Sequence, residues 1–134
     1  MGKYASLEKE VFAVFDLAGW KALSIPTFPL NFITSVVGNK YVRVGILANG
    51  QGINMSSVAG IMMIDIFIPA GYGPSVASAI ADNLDTYLVG KSLTTDTGIT
   101  QCGNSSLTHI GQDKANAALH RSIYSIPFNY YVGV

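Results

Sequence analysis

Between residues 58 and 89 the hydrophobic pattern changes from a nearly continuous apolar run to a helical period, with a glycine and proline corner between them. In the run, Val58, Ile61, Met62, Met63, Ile64, Ile66, Phe67 and Ile68 surround a single charge, Asp65. Such a run predicts a strand largely dry on both faces, either central in its sheet or covered by another subunit. Pro69 ends it, because proline offers no N–H to a ladder, and Gly71, Tyr72, Gly73 and Pro74 turn the chain. Pro74 then suits the first position of a helix. Val76, Ile80, Leu84, Tyr87 and Leu88 recur at helical spacing and form one stripe, with Ser78, Asp82 and Asp85 assigned to the remaining surface. Gly90 stands where a left-handed cap belongs, followed by Lys91 at the negative end of the helix dipole.

The flanking segments carry weaker periods of the same two kinds. Ser6 reads as the cap of a first helix, with Glu8 and Glu10 favourable near its N-terminus. Leu7, Val11, Val14, Phe15 and Ala18 supply its apolar stripe, and Gly19 its end. Phe12 and Trp20 fall partly off that stripe, which places them at the edge of the core or against a neighbouring subunit. Residues 21–39 are irregular, with Pro26 and Pro29, yet Ile25, Phe28, Phe32 and Ile33 anchor them to the body as a short strand or an ordered loop. Residues 41–47 alternate as a strand with Val42, Val44 and Ile46 on one face. Residues 48–57 form a polar, glycine-rich projecting tip, too long for a tight hairpin.

After the second helix, residues 92–98 read as turn, 99–110 as one strand, 111–116 as a polar turn and 117–131 as the last strand. Ala118, His120, Ser122, Tyr124, Ile126 and Phe128 share a face of that last strand, and Pro127 marks an edge or a bulge. The order of helix, strands, helix, strands predicts an α+β fold: a mainly antiparallel sheet of about four to six strands with two helices packed on one face. At 134 residues the chain is expected to be a single domain.

Composition changes the picture by removing charge. Only 12% of residues are charged against 49% hydrophobic, about half the usual charged share of a soluble domain, and eight basic residues balance eight acidic ones. So little charge leaves apolar surface for association, which points to a homo-oligomer or a subunit of an assembly. Without a Lys/Arg cluster, direct binding to nucleic acid is not expected. The apolar run at 61–68 is less than half of a bilayer span, and the first residues lack an apolar signal core, so the chain reads as soluble and intracellular with no membrane partner. Cys102, the single cysteine, reads as a buried structural thiol.

Candidate chemistry is sparse. His109 and His120 lie on consecutive strands and could meet across a hairpin, but cross-strand neighbours on a sheet surface account for them as well. Asp65 reads as facing an edge or pairing at an interface. The Gly71, Tyr72, Gly73 corner resembles the opening of a dinucleotide fingerprint, yet Val76 occupies the third glycine position and no second βαβ unit follows. No catalytic, cofactor or metal residues are therefore assigned. The alternative is a small anion- or nucleotide-binding domain, or an enzyme, using the helix N-terminus at residues 71–75.

Several blocks carry a family resemblance: residues 4–15 of the first helix, Asn39 to Val44, the strand and corner at 60–71 with the helix segment 79–85, and the ending at 124–130. Together they resemble a phage-encoded domain family of unknown function that looks like the tail terminator, or tail completion, proteins of long-tailed phages. The resemblance implies an α+β sheet with two helices and a structural role. That role is a hexameric ring at the head-proximal end of the tail tube, which stops growth of the tail tube protein and presents a surface to the head-tail connector protein. It implies no active site, no cofactor and a place in the virion after assembly in the host cytoplasm. Contact residues are expected on loops and edges: Asn49, Gly50, Gln51, Gly52, Ile53, Asn54 and Met55 in the tip, Ile61 and Met63 on the apolar strand, Tyr72 in the corner, and Tyr130 and Tyr131 near the end.

Overall fold

Alternation along the central strand decides how the layers stack. In a computed structural model of the chain, which describes residues 3–23, 25–29, 40–51, 57–69, 74–95, 98–112 and 119–132, the apolar run forms β3 (Ser57–Pro69). β2 (Tyr41–Gln51) pairs with one edge of β3, and β7 (Leu119–Val132) with the other, both antiparallel. The run is therefore central, as its hydrophobicity predicts. Met62, Ile64 and Ile66 are fully buried on one face beneath α1 (Lys3–Phe15) and α3 (Pro74–Leu88). Burying each such side chain contributes about 1.5–3 kcal/mol.

The remaining strands are β1 (Thr27–Pro29), β4 (Ser92–Thr95), β5 (Gly98–Cys102) and β6 (Ser106–Gln112), and a short helix α2 (Ala18–Lys21) follows α1. The sheet runs β1-β2-β3-β7-β5-β4 with β6 also on β7, seven strands in all, and β1 is the strand that runs parallel to its neighbour. It is an α+β fold with both main helices on one face, and its strand count exceeds the expected four to six. The extra strands come from segments without strong alternation. Residues 92–95 form β4 instead of a turn, and residues 99–110 divide into β5 and β6.

Both halves of that divided segment lie along the same edge of β7, and Gly103 at the break donates its N–H to the Pro127 carbonyl at 2.9 Å. A residue in an antiparallel strand points its N–H and C=O to the same neighbour. The N–H that Pro127 lacks would thus face the break, where no regular ladder requires it. Proline is tolerated inside this sheet because the irregularity lies opposite it.

The helices also depart from the sequence reading at their ends. α1 begins at Lys3, so Ser6 lies inside it and does not cap it, and Gly19 lies inside α2 instead of ending α1. Leu7, Val11, Val14 and Phe15 are buried as the stripe predicts, while Ala18 is exposed. Glu10, expected on a first turn, is 1% exposed in mid-helix and accepts a hydrogen bond from Thr100 Oγ1 at 2.9 Å. Trp20 is a core residue: it packs edge-on against Phe15 and Tyr87 and donates from Nε1 to Thr27 Oγ1 at 2.9 Å. On α3, Ile80, Leu84 and Leu88 face the sheet as predicted, and Gly90 adopts φ +68° at the end. Asp85 does not face solvent freely, because it accepts hydrogen bonds from Tyr124 OH at 2.7 Å and from Ser105 Oγ at 2.6 Å. Burial, then the bond to Asp85, holds the Tyr124 phenol well above its usual range.

Two expected outcomes follow from this packing. A Cβ at Gly98 would lie 2.5 Å from both the Tyr130 hydroxyl and the Tyr131 carbonyl oxygen, so Gly98→Ala should cost about 1–3 kcal/mol through overpacking, read as a lower urea midpoint. Burial raises the Cys102 thiol from 9.0 to about 11, so the folded state keeps its proton where the unfolded chain releases it. Its contribution is complete below pH 9 and is lost as pH rises through about 11. Thermal melts should therefore show a shallower decline across that interval in Cys102→Ala than in the natural chain.

Candidate functional site

The face of the sheet turned away from α1 and α3 is built by the odd-numbered positions of β3. Register carries the same face onto the neighbouring strands, so residues directly opposite one another form rows across it. The face is divided into two zones. At one end Tyr41 stacks on Phe67 with centroids 4.6 Å apart, Phe28 packs edge-on against Tyr41, and Leu119 completes a small buried cluster. Nothing comparable among the described residues covers the other end. There Leu47, Ile61 and Pro127 form one row, and Leu47 and Ile61 are 39% and 40% exposed. The adjoining row sets half-buried Met63 between Gly45 and Ser125, both too small to shield it. Ile99, 39% exposed, adds a further apolar position opposite Tyr131 on β5.

A charged row separates these zones. Asp65 is directly opposite Arg43 on β2, but its ion pair is with Arg121, diagonally placed on β7. Arg121 Nη2 and Nε both donate to Asp65 Oδ1, at 2.9 and 3.2 Å. Asp65 is 7% exposed, so it is an intramolecular partner in the sheet and does not face an edge. The Arg43 guanidinium lies 5.2 Å from the Phe67 ring centre, and its buried Nε has no hydrogen-bond partner. Cation–π attraction holds the group over the ring without satisfying that donor.

Strand parity also separates the residues that would have to meet in an active site. His109 is opposite Ser122 on the helix side, and its Nδ1 lies 2.9 Å from Ser122 Oγ. His120 lies on that same side, paired with Gln112 and Ile68 and diagonal to His109. Asp65 belongs to the opposite face, so the two histidines and this carboxylate cannot converge. Among the described residues no group of three His, Cys, Asp or Glu side chains is placed to hold a metal. A groove of about 330 Å³ runs beside α3, lined by Leu23, Ile25, Lys40, Ser75, Val76 and Asn83 among others. No described helix is long and apolar enough to cross a membrane.

The expected contact residues divide accordingly. Ile61 and Met63 lie together on the open face, and Tyr131 is half-buried along it. Tyr130 does not belong to that surface: it is 0% exposed, because its parity on β7 is that of Tyr124, Ile126 and Phe128 and directs it into the core. Asn49, Gly50 and Gln51 are not a loop tip. β2 continues through them after a register shift following Leu47, with Gly50 opposite Ala59 and Gln51 opposite Val58. Gly52, Ile53, Asn54, Met55 and Tyr72 lie outside the described residues. Sequence reasoning missed Leu47, Ile99, Arg43 and Arg121. Leu47 and Ile99 are ordinary apolar strand positions, and the two arginines join the site only through register.

Comparison with known proteins bears on the fold alone. No protein-family profile matches the chain, and no curated protein does. Among solved structures the chain is similar to a protein whose designation names no activity, at 18% identity and a TM-score of 0.64, covering 95% of this chain and 96% of that one. At that identity the likeness shows a shared α+β architecture over essentially the whole chain.

Proposed function

We propose that the protein is a non-enzymatic structural subunit that assembles with copies of itself into a ring, most specifically a tail terminator. In this reading the ring, a hexamer as the family resemblance implies, caps the head-proximal end of a phage tail tube, stops tube growth and offers a surface for head-tail joining. The observation that carries it is the sheet face turned away from α1 and α3, where Leu47 and Ile61 are exposed and Met63 is half-buried in a chain with 12% charged residues. An apolar sheet surface of this kind costs solvation free energy unless another surface covers it. The resemblance of the sequence blocks supplies the specific role.

A second reading, a small-anion or nucleotide domain at residues 71–75, draws on the groove beside α3 in which Lys40 accompanies Ser75 at the start of that helix. Native mass spectrometry and electron microscopy of the purified chain, with and without tail tube protein, test the first reading. Closed rings and shortened or capped tubes are the expected result, and a strictly monomeric protein that never alters tube length overturns it. Thermal shift with nucleotides and phosphosugars separates the two readings: a site filled at 100 times its dissociation constant adds about 2.7 kcal/mol, whereas the ring subunit should show no shift.

A further inference from the structure

We infer that the sheet face turned away from α1 and α3 in one copy is covered by the solvent face of α3 from a second copy, a head-to-tail contact with Asp82 directed to Arg43. This rests on the ring-subunit reading and names the two surfaces that would join. The first surface has apolar rows with Leu47 and Ile61 exposed and Met63 half-buried, bordered by two arginines and one carboxylate. Because Arg121 already holds Asp65, the described residues of this border leave one positive charge in excess, on Arg43. The surface therefore requires an apolar or small partner that brings an acid.

α3 presents such a surface. Ser75, Ala79, Asp82 and Thr86 are its exposed positions, spaced as one helical stripe. Three of the four are small, so a sheet can approach the helix closely, and the fourth is a carboxylate. The helix sequence has no Lys or Arg, and its other acid, Asp85, is held by Tyr124 and Ser105. Asp82 is therefore the carboxylate left to meet a cation from outside, while its carbonyl takes the bond from Thr86.

The two surfaces face opposite directions on one protomer, since Ile80, Leu84 and Leu88 turn the other side of α3 toward the inner sheet face. They cannot meet within a chain. Between chains they form a heterologous contact, which closes into a ring when each copy is rotated relative to the last and otherwise extends as an open filament. Packing two such sheet faces against each other would instead bring no carboxylate to Arg43 beyond Asp65, which Arg121 already holds in each copy.

The test uses full-length variants at exposed positions, Asp82→Lys on the helix side and Ile61→Lys on the sheet side, each checked for an unchanged melting profile. Each alone should weaken self-association by at least about tenfold, the loss that corresponds to roughly 1.4 kcal/mol. Mixed in equal amounts, they should form a dimer that neither forms alone, because each supplies the surface the other has lost. Asp82→Glu should assemble like the natural chain. If the natural chain forms rings and Asp82→Lys forms them equally well, or if the mixture stays monomeric, this contact is wrong and the ring reading survives. If the natural chain is monomeric at every concentration, the ring reading itself fails.

Discussion

The hydrogen-bond ladders on both edges of β3 constrain the whole molecule. Because β2 and β7 are both locked to it in register, its period of two is imposed on three strands at once. A slip of one residue would turn Ile64 and Ile66 outward and drive Asp65 into the helix-covered core. The apolar face resists this through burial, and the Asp65–Arg121 pair on the other face is compatible with one register. Truncating Asp65 alone would leave Arg121 partly buried without its anion, so the pair matters more through the cost of breaking it than through net attraction.

Polar ties then fix how the helices sit on that frame. Glu10 and Thr100 join α1 to β5, Asp85 joins α3 to Tyr124 on β7 and to Ser105 in the break between β5 and β6, and Trp20 joins α2 to β1. Apolar packing is tolerant of small rotations and slides, whereas a buried acceptor must keep its donor within hydrogen-bonding distance. The break itself is tied twice: Gly103 donates to Pro127 and accepts from the Gly90 N–H at 3.2 Å. The end of α3, the irregular edge and the proline of β7 are thus one connected corner.

The face turned away from α1 and α3 is unequal along its length. Tyr41, Phe67, Leu119 and Phe28 shield one end within the chain, while Leu47 and Ile61 stand open at the other. Among the described residues, α1 and α3 both pack on the other face and none covers that open end. In the proposed ring a neighbouring copy would supply that layer, and the low charge of the chain is consistent with it, because a protomer flanked on two sides has less surface that must remain wetted.

Much of this was legible in the residues themselves. The apolar run at 58–68, the stripe from Val76 to Leu88 and the alternation of residues 120–128 determined a central strand, a sheet-facing helix and a buried strand face, because each is a local period longer than its noise. Gly90 likewise declared its cap through the conformation only glycine adopts freely. Tertiary structure decided what local periods do not contain. Register chose Arg121 as the partner of Asp65 and left Arg43 beside it; parity on β7 withdrew Tyr130 from the surface; and long-range packing buried Glu10 against Thr100, 90 residues away. Those outcomes depend on which strands lie side by side, a property of the assembled sheet that no single segment encodes.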